Sequence, residues 1–170
     1  VFGQGAGELM PLTDYEQLVS HIEAALPAVH KFAPPTPMLR LPRLDALIGG
    51  AVFLKAECLQ ATGSFKVRGA LNVMTPLKQQ QSVNHVVAFS SGNHGIGVAY
   101  AAKCLQMHAS VVVPSDAPIR KVDRIRSLGA NIIFYDRHTE NREHIAEALC
   151  RDTGAILVKP YDDWRTIAGQ

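Results

Sequence analysis

Apolar positions along this chain recur with two different periods, and the change between them divides the sequence. Leu18, Ile22, Ala25 and Leu26 recur at helical spacing. Thr13, with Glu16 three residues on, reads as a capping box that opens this helix, and Pro27 is expected to close it. Residues 1–12, with Gly3, Gly5 and Gly7, read as a loose tail, and Pro34-Pro35-Thr36-Pro37 as an extended connector. Residues 52–57 predict a strand. Ser64 is placed to cap the next helix, whose inner face is Val67, Ala70, Leu71 and Met74.

From about His85 the alternation becomes regular. Strands are predicted at 86–90, 110–114, 131–135 and 155–159, with helices near 94–106, 118–128 and 140–152. Gly129 and Gly154 stand where helices should end, and Thr139 where one should begin. Strands rich in Val and Ile, alternating with helices, predict a parallel sheet covered on both faces. The fold class is therefore α/β, with a small open parallel-sheet domain.

Composition narrows the picture without redirecting it. A hydrophobic content of 47% with 19% charged residues is that of an ordinary globular protein. A net charge of +2 gives no argument for nucleic acid or a membrane surface as partner. Arg120, Lys121, Arg124 and Arg126 fit the solvated face of one helix. No apolar run is long enough to span a membrane and no signal-peptide pattern is present, although the chain begins at Val1 and a removed leader stays open. Cys58, Cys104 and Cys150 lie far apart in apolar stretches, which predicts buried, inert thiols in a reducing compartment. The histidines form no metal-ligand set: His138 and His144 are expected to face solvent.

Two stretches carry chemistry. In Gly63-Ser64-Phe65-Lys66-Val67-Arg68-Gly69 a lysine stands at a helix start beside an aromatic ring. A helix N-terminus and an apolar wall both disfavour the ammonium form, which is what a nucleophilic amine needs. In Ser90-Ser91-Gly92-Asn93-His94-Gly95 a Gly-rich turn joins the strand through Val86-Val87-Ala88-Phe89 to a helix. The first free N–H groups of such a helix bind anions, Gly92 and Gly95 allow close approach, and Ser90, Ser91 and Asn93 add donors. His94 reads as structural within the turn rather than as a base. Asp162 and Asp163 are adjacent, so their side chains diverge, and they read as a turn or domain-joining feature.

Together these stretches resemble the β-family (fold type II) of pyridoxal-phosphate enzymes, in its threonine dehydratase and serine racemase branch. The matching residues are Thr62-Gly63-Ser64-Phe65-Lys66-Val67-Arg68-Gly69-Ala70 and Ser90-Ser91-Gly92-Asn93-His94-Gly95. They are joined by Lys159-Pro160-Tyr161-Asp162-Asp163 and Ile167-Ala168-Gly169-Gln170. The resemblance runs from about Thr36 to Gln170.

It implies a tryptophan synthase β-like organisation. Residues 1–84 would be the N-terminal portion of a large domain carrying the Schiff-base lysine, 85–160 the small α/β domain, and 161–170 the return to the large domain. The chain is then expected to be an N-terminal fragment. The phosphate-binding loop, the partner of the pyridine nitrogen and any metal site would lie beyond Gln170.

Pyridoxal 5'-phosphate is the implied cofactor. By resemblance Lys66 would bond it and then take the substrate's Cα proton, Phe65 and Ser64 would form its wall, and Asn93 would hydrogen-bond its phenolic oxygen. Ser90, Ser91, Gly92, Asn93 and His94 would hold the substrate carboxylate. The implied reaction is dehydration of a β-hydroxy amino acid such as threonine or serine to a 2-keto acid and ammonia. Ser91 could serve as acid/base on the face opposite the lysine, which brings in serine racemase or hydroxyaspartate dehydratase activity. Ile96 and Trp164 depart from residues common among relatives and leave the substrate open. A homodimer in the cytoplasm is the family expectation.

The rival from another class is a dinucleotide-binding module, with Phe89 ending a strand, glycines opening a helix and Asp116 after the next strand. Gly92-x-x-Gly95-x-Gly97 has the fingerprint spacing reversed, and this reading leaves Lys66 unexplained. A hydrolase elbow and a nucleoside-triphosphate loop are both missing from the sequence.

Overall fold

Residues 12–80 and 83–170 are described by the structure, a computed structural model, with the side chains of residues 12–15 outside that description. The expected tail over 1–12 lies, but for Leu12, outside the described part, whereas Thr13, expected to open the helix, falls inside it because the helical backbone already includes Leu12. Helix α1 (Leu12–His30) does not stop at Pro27 but carries it inside. Ala25 and Val29 are both buried in the core on either side of the proline, and their packing outweighs the one backbone bond that Pro27 forfeits.

After the connector, β1 (Met38–Arg40) leads through α2 (Pro42–Ile48) to β2 (Phe53–Lys55), which pairs antiparallel with β1. The sequence predicts β2 within 52–57 but neither β1 nor α2. A 3-10 turn, Glu57–Leu59, then sets up α3 (Lys66–Gln79), on which Val67, Ala70, Leu71 and Met74 are all buried as their spacing predicts. Arg68 ties this start to the connector. Its guanidinium holds Glu57 at 2.7 and 2.9 Å and reaches the carbonyls of Ala33 and Pro34, while Glu57 also accepts from the Thr36 hydroxyl at 2.5 Å.

The regular part of the chain builds β3 (His85–Phe89), α4 (Asn93–Leu105), β4 (His108–Pro114), α5 (Ile119–Ser127), β5 (Asn131–Tyr135), α6 (Arg142–Thr153) and β6 (Ile156–Leu157). The four strands are parallel in the order β5-β4-β3-β6. Alternate residues serve opposite faces. Val86, Ala88, Val111 and Val113 join Val98, Ala102, Val122 and Ile125 in one core, while Val87, Phe89, Val112 and Tyr135 join Ala146 of α6 in another. Burial on both faces explains why these strands read as unbroken apolar runs.

Chain punctuation follows the expectations in part. Gly154 ends α6 in the left-handed region, with φ +69°. Asn141, not Thr139, caps α6, because its carbonyl oxygen accepts from the N–H groups of Glu143 and His144 at 2.8 and 3.2 Å while Thr139 lies in the preceding turn. Nor does Ser64 cap α3. Its hydroxyl is buried without a partner, and Phe65 occupies the cap position. Cys58 is exposed and Cys104 and Cys150 half-buried, against the expectation of three buried thiols; all three are free.

Two close approaches fix the helices around β3. A Cβ on Gly97 would lie 3.1 Å from the Lys66 carbonyl carbon and the Val67 nitrogen, so α4 crosses the first turn of α3 almost backbone to backbone. Helix α7 (Trp164–Gly169) lies equally close to α3, since a Cβ on Gly169 would be 2.9 Å from the Gly69 Cα.

Strand order also locates the site. The chain runs outward from β3 to β4 to β5 and then returns to the other side of β3 as β6. Direction therefore reverses beside β3. In open α/β sheets ligands bind outside the carboxyl ends of the strands at that reversal.

Candidate active site

The loop leaving the carboxyl end of β3 is Ser90-Ser91-Gly92, and α4 begins at Asn93 with no side chain capping its first turn. Its leading N–H groups are thus left for a ligand. A Cβ on Gly92 would meet nothing nearer than the Ser90 hydroxyl at 3.8 Å, so this residue borders open space. Gly95 serves the fold instead. A Cβ there would lie close against the Ser90 carbonyl oxygen, and the turn could not close.

The Ser90 hydroxyl accepts from the Gly92 N–H at 3.1 Å, which fixes the turn and leaves its own hydrogen to donate. Ser91 is half-buried, Asn93 is exposed as the first residue of α4, and His94 is buried behind the loop.

Lys66 is the first residue of α3, and the crossing at Gly97 brings it beside this loop. Its amine lies over the Phe65 ring, 5.2 Å from the centroid, and donates to the Pro160 carbonyl at 2.9 Å and to Gln170 Oε1 at 3.1 Å. Both acceptors are uncharged oxygens, so neither gives the amine an ion pair. Burial holds the amine below the usual lysine range.

The His94 ring Nε2 lies 2.9 Å from the Val158 carbonyl. A carbonyl only accepts, so the ring carries its hydrogen on Nε2, and Nδ1 is buried without a partner among the described residues. Burial, with Lys66 nearby as a lesser cause, pushes the imidazole down to about 4, so it is neutral at physiological pH. A general base with that value would be weak, in line with a structural role.

Residues from the carboxyl ends of β4 and β5 complete the surroundings. Ser90 and Ser91 share a small recess with Val112, Pro114, Tyr135, Arg137 and Arg142. Arg137 is paired with Asp116 at 2.7 Å, so the acid that a dinucleotide site would need is already engaged. Arg142 lies 5.3 Å over the Phe89 ring and has Glu143 no nearer than 4.0 Å, which leaves its charge largely unspent. Neither arginine is singled out by the sequence patterns; the recess exists only once three strand ends converge. Asp162 and Asp163 do diverge: Asp163 caps α7 by accepting from the Arg165 N–H at 2.9 Å, while Asp162 takes φ +53° in the turn.

Residues 29–170 match the sequence profile of the pyridoxal-phosphate dependent enzymes. The chain belongs to this family. It is 45% identical over 161 residues to an L-threo-3-hydroxyaspartate ammonia-lyase from Pseudomonas sp., covering 95% of this chain and 49% of that protein. It is 43% identical to a serine racemase from Oryza sativa subsp. indica, over 85% of this chain and 41% of the other. Its fold matches maize serine racemase with a TM-score of 0.83 at 36% identity, over 89% of this chain and 46% of that one. A threonine deaminase from T.th. matches with a TM-score of 0.78 at 42% identity, over 89% and 47%. The chain thus spans about half, or less, of the length of these relatives.

The residues present fit the family's cofactor. They offer an amine with lowered basicity on an aromatic face, an uncapped helix start, and hydroxyl and amide donors around open space.

Proposed function

We propose that the whole protein is a pyridoxal-phosphate-dependent ammonia-lyase of β-hydroxy amino acids, releasing a 2-keto acid and ammonia. The observation that carries this reading is the Lys66 amine, set beside the uncapped start of α4 with only neutral acceptors. The bound cofactor supplies a sink for the negative charge that develops at the substrate Cα. Lys66, Phe65 and Asn93 would hold it, with Asn93 on its phenolic oxygen.

The chain's own residues supply the rest. Ser90, Ser91, Gly92 and the N–H groups of Asn93 and His94 receive the substrate carboxylate at the positive end of α4. With the carboxylate fixed there, the Lys66 Nζ, its basicity lowered by burial, takes the Cα proton. The β-hydroxyl then leaves with its bonding electrons and a proton as water, and the released enamine tautomerises to an imine whose C–N bond a solvent water cleaves, giving the 2-keto acid and ammonia. Ser91 can deliver a proton to the face opposite Lys66, the step that racemisation requires.

Arg142 favours one substrate within this class. A guanidinium with no close anion, in the same recess as Ser91, is suited to a second carboxylate, as in 3-hydroxyaspartate. The relatives named above include an ammonia-lyase for that substrate, which supports the reading. We extend the proposal to two lobes dividing near residues 84 and 160, a homodimer, and a cytoplasmic setting, the last supported by three free cysteines.

Borohydride treatment of the complete, natively purified protein tests this directly, since it fixes an amine bonded to pyridoxal phosphate. A pyridoxyl adduct on Lys66, lost in Lys66→Ala together with at least a thousandfold of turnover, is the expected result. Undiminished keto-acid release by Lys66→Ala would sink the reading. Chiral analysis of the recovered substrate separates elimination from racemisation.

A further inference from the structure

The stretch that follows β6 is held in an unusual way. Three successive carbonyls, those of Val158, Lys159 and Pro160, each accept a hydrogen bond from a side chain of a different helix. The His94 ring of α4 takes the first at 2.9 Å, the Thr166 hydroxyl of α7 the second at 3.1 Å, and the Lys66 amine of α3 the third at 2.9 Å. Before them, the Val158 N–H is fixed to the Val87 carbonyl of β3 at 2.8 Å. The strap 158–160 therefore sets where Lys66 finds its acceptor.

We propose that His94 acts through its ring as a positioning residue for Lys66. By donating to the Val158 carbonyl it anchors the strap against the substrate loop, and the strap in turn presents the Pro160 carbonyl to the amine. The backbone of His94 and its ring then do separate things: the N–H group faces the carboxylate site, and the imidazole ties that site to the lysine two peptide units along the strap. This rests on Lys66 being the cofactor-bonding residue, but the anchoring itself does not.

Three features support the proposal. His94 is only 3% exposed, so its bond to Val158 competes with no water. Its other ring nitrogen has no partner, so Val158 is its one anchor among the described residues. The neutral ring sets no second charge beside the amine, so their contact along the strap carries no repulsion.

The test compares His94→Phe, which keeps a ring of similar size without a donor, with His94→Gln, which restores an N–H donor, both in the complete protein. Two quantities are read: hydrogen exchange of the Val158 amide, and the rate at which added pyridoxal phosphate becomes fixed to Lys66 on borohydride treatment. His94→Phe is expected to speed exchange and slow fixation at least tenfold each, with His94→Gln within about threefold of the unaltered protein in both. Unchanged exchange and fixation in His94→Phe would overturn the proposal. Equal losses in both variants would overturn it too, since shape rather than donation would then matter. Should His94→Phe not fold, His94→Gln decides alone: a folded Gln variant that loses fixation contradicts the role, and one that keeps it meets the expectation. If the unaltered protein fixes nothing at Lys66, the functional reading fails, while the exchange data still judge the anchor.

Discussion

At Lys66 no carboxylate stands within ion-pairing distance among the described residues, so nothing anionic offsets the burial that lowers its basicity. Arg142 is the converse, a cation kept charged and unspent at the mouth of the same site. Exchanging it for methionine keeps a stem over Phe89 and deletes the charge. Hydrogen bonds to charged groups contribute about 1.5–3 kcal/mol, so Arg142→Met should raise KM for 3-hydroxyaspartate roughly 10- to 100-fold. Steady-state kinetics with threonine alongside checks this, since an equal loss for threonine would deny Arg142 a part in selecting the substrate. Lys66, Ser91 and Asn93, proposed above for the chemistry, stand out in the sequence because each sits in a short motif whose chemistry is local. Arg142 is not, because a surface arginine at a helix start has meaning only beside Ser91, and that adjacency is made by the sheet.

Elements were readable where their period was long. The strands and helices between residues 85 and 154 fall within a few residues of expectation because β3 and β4 are buried on both faces and the helices between strands bury one. Ends were harder, since Ser64, Thr139 and Asn141 are all good cap residues and only the path of the chain selects among them. Pro27 misled for a related reason, the packing of Ala25 and Val29 being a tertiary fact. What no pattern displayed is the crossing of α3 and α4 at Gly97. Gly97→Val would drive a branched side chain into the backbone of Lys66 and Val67, and overpacking of this kind costs about 1–3 kcal/mol. The expected outcome is a melting temperature lower by roughly 2–10 °C, with Lys66 trapped by borohydride more slowly. A stable variant with normal trapping would show that the crossing is looser than it stands here.

For the molecule as a whole, His94 and Glu57 carry the largest shifts among the described residues and act in separate acid windows, with His85, lowered by burial, adding to the upper and Asp163, held down by Arg165, to the lower. His94 lies at about 4 in the fold, below its usual 6.5, so stability is complete above pH 6.5 and falls as the unfolded chain takes up the proton between 6.5 and 4. Glu57 is drawn down from 4.5 to about 2, chiefly by its hydrogen bond from Arg68, so its contribution is complete above pH 4.5 and is lost as pH falls towards 2. Each step is on the order of 2 kcal/mol, allowing for relaxation and the solvent at the Glu57 rim. Melting temperature against pH should thus decline in two stages, and His94→Gln should shrink the upper one to what His85 contributes. A single stage in the unaltered protein would mean that one of these groups is not buried as it is here.

The strap that meets Lys66 bears on how the chain acquires its structure. Lys66 and Pro160 are 94 residues apart in sequence, Asn72 and Arg165 are 93 apart, and almost everything between them belongs to the βα units of the sheet. Those units close short segments at low entropic cost, whereas the Lys66 contact closes a loop that contains them all. Sheet formation therefore comes first and shortens the distance to be spanned. During synthesis the lysine emerges early and stays without its acceptor until the strap and α7 have been made. The contact between Lys66 and the strap is thereby made only after the sheet that carries the strap, and a chain that ends before residue 160 lacks it.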